Sequence, residues 1–311
     1  MQVATNLRRL ALASAFTLLT GCFSGSQLSS LAARDTPIHD ARVTSIIEQE
    51  EIVIRPIDPK PKTSQLWSTL REKFSRHPMR AVSASVDPEA IGSAIGTVDV
   101  RQALAQELAS NLERGSPFPV ISIDSRRHAK NTPVEQLASQ PEDGLIVLKA
   151  NYFFTPDLHA LRVETHVAMY AKLATVTAAK ERKSKDIGRP FFENQIIIHT
   201  EIPPQEAADA VDYWTRDQGA NAIDVMRQSL RETARLLVWE LNDNEKKLVS
   251  RKPQTWTLLE GSDQGSVQVK GSLVLETVKR LIIRLDNGTL LSIPNTKREA
   301  APRSPRSASI E

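Results

Sequence analysis

The sequence predicts an α/β (α+β) fold. It is a mixed sheet with a β-α-β unit, long antiparallel strands and a long packing helix, plus a small C-terminal β unit. Three observations predict it. Residues 98–112 place Val100, Leu104, Leu108 and Leu112 on one helical face, between short apolar runs at 79–87 and 117–124; this is the pattern of a crossover joining parallel strands. Residues 145–154, 161–172 and 192–202 form three long runs of strand character, in which apolar and polar residues alternate with a strand period. In residues 205–242, Ile223, Met226, Leu230, Leu237 and Leu241 recur at helical spacing, as on a helix that covers a sheet.

Taken in order, the chain opens on a processing segment, residues 1–21. Arg8 and Arg9 precede the apolar run Leu10–Leu19, the charged and apolar regions of a secretory signal. The run is too short to span a bilayer, which takes roughly 20 apolar residues. Leu19-Thr20-Gly21-Cys22 follows, and Cys22 is the single cysteine of the chain. Leu three positions before the cysteine, a small residue next and Gly immediately before it resemble the lipobox of bacterial lipoprotein precursors. That resemblance implies cleavage between Gly21 and Cys22, a diacylglyceryl group on the Cys22 sulfur, and a fatty acid such as palmitate on the freed amine. At ~0.8 kcal/mol per buried methylene, three chains hold far more firmly than one. By the same resemblance, Phe23 in place of Asp implies the cell outer membrane, on its periplasmic face, over the inner membrane. An ordinary secretory signal with Cys22 at the cut is the alternative; Arg8-Arg9 lacks the rest of a twin-arginine pattern.

Residues 22–42, rich in Ser, Gly and Ala, read as a lipidated tether with a reach of roughly 25 Å. The α/β body is expected over 43–242. Its first strand lies near 43–57, with a bend between two shorter strands where Glu48, Glu50 and Glu51 interrupt the isoleucines. Residues 64–76 read as a helix, with Leu66, Leu70 and Phe74 on one face, Ser64 as N-cap and Trp67 as a core anchor. A strand at 79–87 leads to the helix at 98–112, where Asp99 suits the positive N-terminus and Gly115 marks the stop. A strand at 117–124 and a short helix at 134–139 follow. Thr155-Pro156-Asp157-Leu158 is a tight turn between the first two long strands, and the basic stretch Lys180–Arg189 separates the second from the third. Gly219 divides the long helical segment, whose Trp214 and Trp239 read as core. After a charged linker, residues 253–294 form the small β unit, with strands at 256–259, 266–270, 273–276, 278–285 and 289–294. Asp286-Asn287-Gly288 is its hairpin turn; Leu281, Ile283 and Leu285 face one way, Arg280, Ile282 and Arg284 the other. The tail from Asn295 has no apolar period and reads as disordered.

Composition narrows the function classes. Forty basic residues nearly balance 37 acidic ones, which argues against a dedicated nucleic-acid binder. One cysteine allows neither an intramolecular disulfide nor a Cys-rich metal site. No Gly-x-Ser-x-Gly elbow, HExxH, P-loop or Gly-x-Gly-x-x-Gly occurs, so no cofactor is implied. Among six histidines, only His166 and His199 offer a constellation: their strands are expected to pair, with Glu164 and Glu201 nearby. A zinc or catalytic group could be built there if the register allowed it; otherwise the stripe is a hydrogen-bonded sheet face.

The order of lipobox, tether, β-α-β ending in Phe118-Pro119-Val120-Ile121, long strands and closing amphipathic helix resembles periplasmic lipoproteins of the curli-secretion and penicillin-binding-protein-activator type. This likeness spans residues 80–242 and is architectural, so it assigns no site residue. Three functions follow. The first is a non-enzymatic outer-membrane lipoprotein that binds a protein partner in envelope assembly or transport. The second is an oligomeric export-channel subunit of the curli-secretion type. The third is a periplasmic hydrolase using the strand histidines.

Overall fold

The computed structural model describes residues 38–49, 53–54, 91, 99–129, 131–172, 190–242, 252–259 and 266–295. The expected signal, Cys22, most of the expected tether, the expected helix at 64–76, the expected strand at 79–87, the basic stretch 180–189 and the residues from 296 on lie outside the described residues.

The fold is mixed α/β, built on one ten-stranded sheet. Its centre is the predicted antiparallel trio: β4 (Gly144–Phe154), β5 (Ala160–Ala171) and β6 (Phe192–Glu201). The Thr155–Leu158 turn closes the first hairpin, with the Leu158 amide donating to the Thr155 carbonyl at 2.9 Å. On the other side of β4 lie β1 (Ala41–Ile46) and, beyond it, β3 (Val120–Arg126), each parallel to its neighbour. The helix α1 (Val100–Gly115) crosses between β1 and β3, so the strand that pairs in the β-α-β unit is β1. Asp99 caps α1, accepting from the Arg101 and Gln102 amides at 3.0 and 3.1 Å.

The segment expected near 43–57, with a bend between two shorter strands, forms two strands, β1 and β2 (Val53–Ile54), both parallel to β4. Between them the Gln49 side chain takes over the ladder. Its Nε2 donates to the Tyr152 carbonyl at 2.6 Å and its Oε1 accepts from the Tyr152 amide at 2.9 Å, satisfying both backbone groups that β4 would otherwise leave unmade. The short helix α2 (Pro133–Ser139) begins with a capping box between Thr132 and Glu135.

The long segment at 205–242 is a 3-10 turn (Pro204–Asp209) followed by α3 (Ala210–Leu241). It is broken where predicted: Arg216 is extended, and Asp217, Gln218 and Gly219 have φ of 52°, 59° and 80°. Trp214, fully buried just before the break, donates its Nε1 proton to the Leu158 carbonyl at 2.6 Å. Helices α1 and α3 pack on one face of the sheet, where Leu104, Leu108, Met226, Leu230, Leu237 and Leu241 meet Ile146, Leu148, Val163, Ile196 and Ile198 in the main core. Gly115 matters for space: a Cβ there would collide with the Val238 side chain of α3. Its role is thus close helix approach, and Ser116 takes the C-cap in extended backbone.

The strands after Pro253 continue the same sheet. They are β7 (Gln254–Leu259), β8 (Ser266–Glu276), β9 (Arg280–Leu285) and β10 (Leu290–Pro294), and the full order is β3-β1-β4-β5-β6-β10-β9-β8-β7, with β2 on β4. The joint is parallel pairing of β10 with β6. Ile196-Ile197-Ile198 explains it: a continuous apolar run is the mark of a strand buried on both faces, and β6 places Ile198 in the main core and Ile197 in a second cluster with Leu258, Leu273, Ile283, Leu291 and Ile293. The two strands expected at 266–270 and 273–276 are one, with an irregularity between Leu273 and Leu275. Gly271 does not turn the chain. A Cβ there would lie 2.5 Å from the Arg284 carbonyl oxygen, so the glycine admits close backbone approach. The Asn287-Gly288 turn forms as predicted, with Gly288 at φ 89°.

Candidate functional site

The sheet has a helix face and an opposite face, and the strand histidines lie on the latter. At one end of that face, α2 lays Leu137 against Ile46, Leu145, Val147, Ala168 and Tyr170. At the other end lies the Ile197 cluster. Between them runs a polar row: Lys149 and Asn151 of β4, Arg162, Glu164 and His166 of β5, and Glu193, Gln195, His199 and Glu201 of β6, brought to one side by the strand period of two.

Register separates the two histidines. His166 stands opposite Gln195 and His199 opposite Arg162, so four residues of β5, roughly 13 Å, lie between them. Each has its own carboxylate. His166 Nε2 is 3.0 Å from Glu193, and His199 Nε2 is 3.3 Å from Glu201. Glu164, expected beside the histidines, instead pairs with Arg162 at 2.9 Å. Arg162 is 3% exposed and lies 5.8 Å from the centre of the Phe153 ring. His199 is fully buried. Burial is the largest effect on it and lowers its pKa; Glu201 opposes this, and the Arg162 and Arg280 charges reinforce it. The imidazole is therefore held neutral near neutral pH. Burial likewise lowers the Lys149 pKa, against the pull of Glu48. Among the described residues, no three His, Cys, Asp or Glu side chains are grouped to hold a metal ion.

His39 and His128 are exposed and stand apart, while His159 pairs with Asp157 at 2.7 Å in the β4–β5 hairpin. His77, and Cys22 with the cleavage site expected before it, lie outside the described residues.

Among the described residues, a dense charged cluster that the sequence did not single out lies on the helix face where β9 meets the second half of α3. Glu240 of α3 is 3% exposed. Its Oε2 accepts from Arg284 Nη2 at 2.6 Å, and its Oε1 accepts from Asn194 Nδ2 at 2.7 Å and Arg284 Nη1 at 3.3 Å. Arg284 also donates to the Gly288 carbonyl at 2.8 Å and lies 5.8 Å from the centre of the Trp239 ring. Four residues along β9, Arg280 donates to Ser292 Oγ at 2.9 Å, Thr200 Oγ1 at 3.2 Å, and the His199 and Ser292 carbonyls at 2.9 Å each. Ser292 Oγ donates onward to Glu232 at 3.3 Å, and Glu232 also receives Arg235. Burial pushes the Arg280 pKa down to about 10, with Glu232 opposing.

Spacing explains the match. Arg280 and Arg284 share a strand face at i, i+4, roughly 13 Å apart; Glu232 and Glu240 share a helix face at i, i+8, roughly 12 Å apart. The signal was present in the sequence as two arginines on the helix-facing side of β9. The pairing also needed the β6–β10 joint, which sets β9 under α3. The cluster joins two parts of the chain, and Ser292, whose hydroxyl meets a carboxylate in it, is fully buried. No family model matches the chain, and no curated protein matches it.

Proposed function

We propose that this chain is a non-enzymatic, membrane-anchored lipoprotein of the cell outer membrane, facing the periplasm, whose α/β body binds a protein partner in envelope assembly or transport. The observation that carries the reading is Leu19-Thr20-Gly21-Cys22 directly after a charged and apolar leader. No helix among the described residues is long and apolar enough to cross a membrane, and the lipid supplies the attachment.

The way the chain enters the sheet supports this reading. Strands β1, β3, β4 and β6 begin at one end of the sheet, and β5 finishes there, with Ala171 opposite Gly144. The chain arrives at that end pinned. Asp143 accepts from the His39 amide at 3.0 Å and the Asp40 amide at 3.1 Å, while the Asp143 amide donates to Asp40 at 2.9 Å. Ile38 is already buried. Cys22 precedes Ile38 by sixteen residues in sequence, so this end of the body is the one joined to the proposed anchor. Ala171 and Phe192 sit at the same end.

The register that separates His166 from His199 weighs against their sharing a metal or acting as an acid–base pair. The experiment is metabolic labelling with a fatty-acid probe. Wild-type protein is expected to take the label and fractionate with the outer membrane, and Cys22→Ser to lose the label and accumulate as uncleaved precursor. Labelling that persists in Cys22→Ser overturns the proposal. Crosslinking in cells then identifies the partner.

A further inference from the structure

We propose that the outer edge of β7 pairs with β7 of a second copy of this chain, antiparallel about a two-fold axis, so that two sheets join into one. This goes beyond the lipoprotein reading and does not rest on it.

The ten-stranded sheet ends at β3 on one side and at β7 on the other. An end strand shows a row of backbone N–H and C=O groups that match another extended chain. The two ends are built differently. The pairing of β3 with β1 shifts register between Ala41 and Arg42, which passes over Ile121. β3 also carries Asp124 and Arg126, paired with each other at 3.0 Å. Irregularities and charges of this kind keep an edge from pairing. β7 has neither. Its ladder with β8 runs unshifted from Gln254–Gly271 to Leu259–Ser266, and Gln-Thr-Trp-Thr-Leu-Leu contains no charge and no proline. Gln254, Thr255 and Thr257 are exposed, and among the described residues no strand lies beyond β7.

Self-complementarity selects the occupant. With the axis at Trp256, Thr255 stands opposite Thr257 of the second copy, twice, and Gln254 stands opposite Leu258. Threonine pairs of this kind stabilise a ladder, and no like charges meet. Behind the edge, β8 places Lys270 beside Thr255. The two copies of Lys270 come to stand three strand spacings across and two residues along, roughly 16 Å apart, well outside the ~8 Å screening length. On the other face, the half-buried Trp256 borders the cluster of Leu258, Val269 and Leu273, so the two tryptophans meet at the axis and join the two apolar clusters. The arrangement also closes. Each copy uses its one unguarded edge on the other, and the guarded β3 edges stop the sheet from growing further.

The test uses the full chain, extracted in mild detergent, with light scattering to count chains per particle. Wild type is expected to give two chains, falling to one on dilution. Thr255→Lys with Thr257→Lys, and separately Thr255→Glu with Thr257→Glu, set like charges against each other across the axis. Both positions are exposed, so each form is expected to keep the wild-type circular dichroism spectrum and to give one chain per particle. Mixing the lysine form with a differently tagged glutamate form is expected to restore a two-chain particle carrying both tags, because opposite charges then face each other. A wild type with one chain at every concentration, which leaves this edge to a strand of another protein, overturns the proposal. So does a lysine or glutamate form that still gives two chains, or a mixture that gives no mixed particle.

Discussion

Glu240→Gln isolates the charge that holds the two parts of the sheet together. The substitution keeps the shape of the side chain and leaves an amide that can still pair with Asn194, but it removes the counter-charge of Arg284. The Glu240 side chain is 3% exposed and that of Arg284 16% exposed, so solvent cannot replace what is lost. Removing one member of a buried pair typically costs about 3–5 kcal/mol. Arg284 keeps the Gly288 carbonyl and the Trp239 ring, which places the loss near the lower limit, ~3 kcal/mol. At ~1.4 kcal/mol per tenfold, that is roughly a 150-fold shift in the opening equilibrium, a large share of the ~5–15 kcal/mol that holds a typical domain together. Hydrogen exchange is expected to accelerate first in β9 and β10, ahead of α1, β4 and β5, and urea unfolding to move to a lower midpoint. Replacing both partners, Glu240→Leu with Arg284→Met, is expected to recover stability to within ~1 kcal/mol of wild type, because neither charge is then stranded. A Glu240→Gln protein within ~0.5 kcal/mol of wild type, with unchanged exchange in β9, would show that the pair does not hold the seam.

Two further substitutions probe strain and protonation. Gln218 holds a left-handed backbone at φ 59° inside the break of α3, which costs a non-glycine residue ~1–2 kcal/mol; Gln218→Gly is expected to raise stability by about 1 kcal/mol in urea unfolding, and a loss of stability would show that the side chain matters more than the backbone. The folded-state pKa of His199 lies below its unfolded value of 6.5, so the unfolded chain binds the extra proton first. Stability is then fully present above pH 6.5 and falls as pH drops below it toward the folded pKa, at up to ~1.4 kcal/mol per pH unit for one proton. His199→Gln is expected to flatten that slope whatever it does to absolute stability, and an unchanged slope would assign it to other groups.

The elements that repeat a strong period were legible in the sequence. Val100, Leu104, Leu108 and Leu112 marked α1; the alternation from Leu145 to Glu201 marked β4, β5 and β6; Gly219 marked the break in α3; Asn287-Gly288 marked its hairpin. Pairing between distant segments was not legible, because a strand's period says which face is buried and not which strand lies beside it. Thus the interruption at Glu48, Glu50 and Glu51 was legible, but not that the Gln49 amide fills the gap beside β4. The β unit after Pro253 was set apart, although Ile196-Ile197-Ile198 needed a neighbour on its second edge. The same limit governed the site. His166, His199, Glu164 and Glu201 do share a face, as alternation predicts, but a register of four residues parts the histidines and gives Glu164 to Arg162. Gly115 ends α1 as its position suggested, but nothing in the sequence showed that it also admits Val238, or that Gly271 admits the Arg284 carbonyl.

The central claim is the anchor at Cys22, and mass spectrometry of the N-terminal peptide from membrane-extracted protein tests it most directly. The account predicts a mature chain that begins at Cys22 and carries the added mass of a diacylglyceryl group, with a further acyl chain on the amine. A mature chain that begins elsewhere, or a Cys22 with a free thiol, would contradict it.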